Sequence, residues 1–143
     1  MDGNTPTIIA LLYDFDKTLC TQDMQNYAFI PRLGMEPGEF WREANTFGWR
    51  EHMDGILAYM YTMIRESRER GMPLTRESLV SCGESISLFP GVEDWFARID
   101  RFGALLGVQV EHYVISSGLK EIIEGCSIAG AFKQIYALSL IHI

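Results

Sequence analysis

The sequence predicts an α/β fold: a Rossmann-like parallel sheet carrying an inserted set of helices. Three observations predict it. Residues 8–13, Ile-Ile-Ala-Leu-Leu-Tyr, form a short apolar run without alternation, which suits a strand buried on both faces of a parallel sheet. Residues 108–115, Val-Gln-Val-Glu-His-Tyr-Val-Ile, give a second inner strand. Between the two, the apolar spacing is helical. Strands alternating with helices make a doubly wound sheet, and such sheets bind ligands beyond the carboxyl ends of their strands.

In chain order, the first strand ends in a polar cluster, Asp14-Phe15-Asp16-Lys17-Thr18. Met53, Ile56, Leu57, Met60 and Ile64 then recur at helical spacing as one apolar stripe. Gly71 and Pro73 end that helix, and Thr75 is placed to cap the next. Phe89-Pro90-Gly91 reads as a hinge. Val92, Trp95, Phe96 and Ile99 mark a further amphipathic helix. After the second strand, Ser116-Ser117-Gly118 predicts a tight turn, Leu119 to Gly125 a helix start, and Gln134 to Ala137 a third strand.

Composition bounds the function. At 143 residues the chain makes one domain, with room for an insert. Twelve basic against 19 acidic side chains give a net charge of −7, which argues against a nucleic-acid partner. An anionic substrate held by a metal ion and backbone N–H groups remains compatible with that charge. Cys20, Cys82 and Cys126 form no C-x-x-C pair, so a zinc knuckle or disulfide framework is not expected and a reducing cytoplasm fits best. The start lacks the positive charge of a signal peptide, and the run from Ile8 to Tyr13 is too short to span a bilayer. The expectation is a cytoplasmic protein without membrane partners.

Asp14 and Asp16, one residue apart beyond a strand, can divide the work of phosphoryl transfer. One carboxylate attacks phosphorus, and the other protonates the leaving oxygen and then activates water. A hard cation such as Mg²⁺ offsets the repulsion between carboxylate and phosphate. Thr18 can orient the loop through its hydroxyl. The same D-x-D-x-T pattern also fits a solvated turn in which Asp and Thr cap a helix. At the second strand end, the Ser116 hydroxyl and the N–H groups of Ser117 and Gly118 are candidates for a phosphate nest. An ordinary glycine turn accounts for Ser-Ser-Gly equally well in isolation. The shared location at the strand ends joins the two clusters into one argument.

Leu12-Tyr13-Asp14-Phe15-Asp16-Lys17-Thr18-Leu19 resembles the first motif of the haloacid dehalogenase-like (HAD) hydrolases. Tyr113-Val114-Ile115-Ser116-Ser117-Gly118-Leu119 resembles their second motif, and Phe89-Pro90-Gly91-Val92 the return from cap to core. The helical insert resembles the cap of the phosphoserine-phosphatase-like branch. The resemblance implies a core of residues 1–20 and 88–137 and a cap insert of residues 21–87. It implies Asp14 as nucleophile and Asp16 as general acid/base. It also implies Mg²⁺ held by the Asp14 carboxylate and the Asp16 carbonyl, and the transferring phosphoryl held by Ser116. Thr18, Ser117 and Gly118 complete the expected phosphate-binding set. The second aspartate favours a phosphatase over a dehalogenase, acting on a small phosphorylated metabolite.

Two further family motifs are not matched. No Asp or Glu follows Glu124, and Lys133 lies too early to match the family's charge-neutralising lysine. The core is therefore expected to be incomplete at its C-terminal side, with half a metal site, and this chain to be an inactive fragment. Residues 138–143, Leu-Ser-Leu-Ile-His-Ile, match the translation of a transposon-end adapter and are expected to be a non-native tail. Two other readings are a non-catalytic pseudoenzyme and a phosphoaspartate signalling or binding module. The long insert argues against the latter. His52 and His112 read as structural, Cys20 as packing, and Arg42, Arg50 and Arg65 as a solvated face. Of the aromatic residues Trp41, Phe47, Trp49, Tyr59 and Tyr61, most read as core of the insert, with one or two facing the substrate.

Overall fold

A computed structural model describes residues 6–141. His142 and Ile143, the end of the expected tail, lie outside the described residues. Three parallel strands, β1 (Thr7–Tyr13), β2 (Val108–Leu119) and β3 (Gln134–Leu138), form one sheet in that order. Between β1 and β2 the chain makes α1 (Phe29–Arg32), α2 (Pro37–Arg50), α3 (Gly55–Glu69), α4 (Arg76–Gly83) and α5 (Val92–Leu105). The short α6 (Lys120–Glu124) connects β2 to β3. The fold is α/β with a truncated Rossmann-like sheet, as the alternation of strands and helices predicts.

Local chemistry sets the element ends. Asp54 caps α3, accepting from the N–H groups of Ile56 and Leu57. Thr75 caps α4 in a reciprocal box with Ser78. Gly71 and Gly91 take left-handed φ of +64° and +87°, ending α3 and opening α5. The chain enters and leaves the α1–α4 stretch side by side. Thr21 N–H donates to Ser87 O, Phe89 N–H donates to Leu19 O, and Cys20 bridges Leu88.

One cluster of buried side chains runs from Phe15, Met24 and Phe40 through Met63 and Leu79 to Val114, Leu119 and Ile122. Helices α4 and α6 touch backbone to backbone. A Cβ on Gly125 would lie 1.8 Å from Val80 O, and one on Gly83 2.2 Å from Ile122 O.

The structure corrects three expectations. First, β1 is not buried on both faces: Ile8, Ile9 and Leu12 are 50%, 44% and 59% exposed. Among the described residues β1 pairs only with β2, so its outer edge carries no strand. Apolar content signals what a strand can bury, and burial itself needs neighbouring layers. Second, the stripe predicted as the buried face of α3 is its outer face, with Ile56, Leu57 and Ile64 exposed. Ala58, Tyr59, Thr62, Met63, Glu66 and Ser67 face inward instead. That inner face mixes small, aromatic and polar residues. Thr62 donates to Ala58 O, and Glu66 takes Arg65 and Arg70.

Third, Ser116-Ser117-Gly118 is not a tight turn. Strand β2 continues through it to Leu119, with a register break against β3 between Ile115 and Leu119. The helix start expected at Leu119 to Gly125 is present as the five-residue α6. Beyond β3, Leu140 and Ile141 pack against the main cluster, and Ser139 donates to the buried Glu121.

Candidate active site

Parallel pairing of Tyr13 with Val114 brings the loop after β1 beside the last residues of β2. That loop is wound tightly around one carbonyl: Phe15 O accepts from the N–H groups of Thr18, Leu19 and Cys20. The buried Phe15 anchors it, and Lys17 turns it with φ of +59°.

Asp14 is exposed, and its Oδ2 accepts from Thr18 Oγ1 at 2.8 Å. Thr18 thus orients the carboxylate of Asp14. Asp16 points the other way, into the molecule. Its Oδ1 accepts from Met24 N–H at 2.9 Å, and Cys20 Sγ lies 3.7 Å from the same oxygen. Burial raises the Asp16 pKa to about 6, against the lowering effect of the Met24 N–H. The same burial, with the negative charge of Asp16 beside it, pushes the Cys20 thiol up to about 12, so Cys20 is an inert packing thiol.

Gly118 lies close under Asp16. A Cβ there would stand 2.1 Å from Met24 Cε and 3.2 Å from Asp16 Oδ2, so glycine permits the approach of the two strand ends. Ser116 Oγ accepts from Gly118 N–H at 3.0 Å. That N–H is therefore engaged within the strand end, and the nest expected there is not formed by a turn. Asp16, Ser117 and Gly118 share the lining of one cavity of about 320 Å³, under the N-terminal end of α3. Trp41 and Tyr59 line it too, and Tyr59 OH donates to Ser117 O at 2.8 Å.

Three further lining residues with polar side chains escaped the sequence reading: Asp23, Gln25 and Asp54. Asp54 carried a signal, an acidic cap immediately before a periodic apolar stretch. Asp23 and Gln25 carried none beyond their nearness to the aspartate loop. Arg42, Arg50 and Arg65 do not reach this cavity. They line a separate groove between α2 and α3, where Arg65 pairs with Glu43 and Glu66 and Arg50 sits over Phe47.

His112 is buried within a hydrogen-bonded chain, with Tyr13 OH at 2.8 Å and Asp100 Oδ1 at 3.1 Å. Lys133 pairs with Glu111 at the opposite end of β2 from the aspartates.

The donors present suit Mg²⁺ in kind. Asp14 and Asp16 supply the hard oxygens that this ion prefers. They fall short in number: among the described residues no group of three or more acidic, His or Cys side chains is arranged to hold a metal. The arrangement supplies one exposed carboxylate fixed by a hydroxyl, one half-buried carboxyl with a raised pKa, and a serine at the neighbouring strand end. No helix among the described residues is long and apolar enough to cross a membrane.

No family model matches the chain. A protein from Borreliella burgdorferi with no described function is 28% identical over 146 residues, covering 94% of this chain and 50% of its own length. The chain thus spans about half the length of the curated relative it matches. Among solved structures, a phospho-aspartyl intermediate analogue of phosphoserine phosphatase superposes with a TM-score of 0.57 at 18% identity. It covers 96% of this chain and 59% of the other. A HAD family hydrolase from Salmonella enterica serovar Typhi superposes at 0.59 with 17% identity, covering 94% and 41%. A HAD-hydrolase of Bacillus subtilis bound to magnesium superposes at 0.51 with 15% identity, covering 92% and 65%. The fold of this chain is that of the HAD-like hydrolases.

Proposed function

We propose that these residues are the nucleophile half of a Mg²⁺-dependent phosphomonoester hydrolase acting on small phosphorylated molecules. One observation carries the reading: the two aspartates of the loop sit in opposite environments. Exposed Asp14, held by Thr18, is the nucleophile. Its oxygen bonds phosphorus, the substrate alcohol departs, and an aspartyl-phosphate remains. Half-buried Asp16, titrating near pH 6, gives its proton to the departing oxygen. It then takes a proton from the water that hydrolyses the intermediate. Ser116 holds a phosphoryl oxygen. Mg²⁺, when bound by the Asp14 carboxylate and Asp16 carbonyl, supplies positive charge at the phosphoryl group.

Residues 21–87 act as a cap on this centre. The paired entry and exit strands at Cys20–Thr21 and Ser87–Leu88 support that division, as does the lining of the cavity by α2 and α3 residues. The 143 residues by themselves do not turn over. They lack a lysine for the transferring phosphoryl and an acidic pair to complete the metal shell, the fixed charges on which phosphoryl transfer depends.

The test is turnover of an aryl phosphate with Mg²⁺ by the longer gene product that carries these residues. Asp14→Asn is expected to abolish it and Asp16→Asn to lower kcat by about 10²–10⁴-fold. Near-normal turnover in Asp14→Asn removes Asp14 as nucleophile.

A further inference from the structure

The cavity beside Asp16 has a chemical character of its own. Three of its lining residues are acidic, Asp16, Asp23 and Asp54, of which Asp16 is the proton donor of the proposed step. None of its described lining residues is Arg, Lys or His. Asp23 already pairs with Lys17 at 2.7 Å, a lysine whose side chain is 64% exposed, so its charge is offset from outside. Asp54 spends Oδ1 on the cap of α3.

Trp41 and Tyr59 add two aromatic rings, 5.7 Å apart and edge to face. An independent feature points to a ligand. Gln25 lines the same cavity and is 2% exposed, and its Oε1 has no hydrogen-bond partner among the described residues. A buried acceptor left without a donor is costly, and a ligand N–H that reached it would recover that loss.

Carboxylates, aromatic faces and an unmet acceptor together select a cation with N–H donors. They disfavour an anion. We propose that this recess holds the leaving-group end of the substrate, and that this end is a protonated amine without a carboxylate. The substrate class is then the phosphomonoester of a simple amino alcohol. Phospho-amino acids and phosphoglycolate would meet unoffset negative charge, with no basic residue lining the recess. The class differs from what the name of the superposed phosphoserine phosphatase indicates. The substrate assignment rests on the phosphatase reading above, whereas the amine preference of the recess does not.

The experiment is an NMR titration of the full 143-residue chain with Mg²⁺ present, following the Trp41 indole N–H, assigned through Trp41→Phe. The probes are O-phosphoethanolamine, propyl phosphate as its neutral isostere, phosphoglycolate, ethanolamine and propanol. O-phosphoethanolamine is expected to bind at least ~10-fold more tightly than propyl phosphate, and phosphoglycolate more weakly still, by the electrostatics of the recess. Asp54→Asn keeps the helix cap, since Asn caps as well as Asp. It is expected to cut the preference several-fold while leaving the melting temperature unchanged.

Equal binding of phosphoethanolamine and propyl phosphate, or tightest binding of phosphoglycolate, overturns the proposal and leaves the phosphatase reading standing. If no ester binds but ethanolamine shifts Trp41 where propanol does not, the recess stands and the phosphatase reading fails. If neither ethanolamine nor any ester shifts Trp41, the recess proposal is overturned.

Discussion

Asp16 shows how a single residue's surroundings assign its role. Its carboxyl keeps only one strong donor, the Met24 N–H, against the desolvation that burial imposes. An unfolded aspartate loses its proton near pH 4, and the folded one holds it to about pH 6. The folded state binds the extra proton across that window. Stability therefore falls as pH rises from about 4 to about 6, by up to about 3 kcal/mol. Asp16→Asn should flatten that part of the profile and leave the variant more stable than the parent at pH 7. Urea melts of both proteins at pH 4.5 and pH 7, free of metal, measure the difference, and an unchanged pH dependence in Asp16→Asn would contradict the assignment. The sequence showed both aspartates and their place beyond a strand. It did not show which was buried, because Met24 and Gly118 enclose Asp16 from 8 residues and 102 residues away.

At the scale of elements, glycine decides how the helices approach. At Gly125 the backbone φ of −83° is one that any residue adopts, so a substitution there acts through space alone. The cost is steric: the added methyl would meet Val80 O at the contact between α4 and α6. Gly125→Ala should cost about 3 kcal/mol, the upper end for overpacking, because a backbone carbonyl rather than a flexible side chain must move. Gly130→Ala, with open space around its Cβ, is the control. Denaturant midpoints of the two variants test this, and equal midpoints would refute it. Periodicity located α3, and cap chemistry located its start and that of α4. The face of α3 that turns inward was misread, because the outer stripe is the more apolar. The inner face is chosen by size and hydrogen bonding, with Ala58 against Gly48 and Thr62 bonded to Ala58 O. The strand predicted over 108–115 is shorter than β2 because Ser-Ser-Gly is a turn signal locally, whereas pairing of Leu119 with Leu138 extends the strand.

For the whole molecule, the succession of strands and helices was legible because the strand segments are separated by helical apolar spacing. What the run at 8–13 did not tell was how many neighbours it has. Its outer edge is unpaired among the described residues, with Ile8, Ile9 and Leu12 open to solvent. From the sequence, the core is expected to be incomplete at its C-terminal side. Strand β3 is also an edge, yet Ile135 is buried and Leu138, Leu140 and Ile141 are partly covered, so β1 is the barer of the two.

The fold converges two strand ends on one loop, and the account turns on what that loop does. The most direct measurement is chemical. The longer gene product is mixed with Mg²⁺ and O-phosphoethanolamine or an aryl phosphate, quenched in acid, and reduced with borohydride, which converts an aspartyl-phosphate to homoserine. Peptide mass spectrometry then locates the change. Conversion at Asp14 alone, absent from Asp14→Asn, is the predicted result. Conversion at another residue, or undiminished turnover with no conversion at Asp14, would contradict the account.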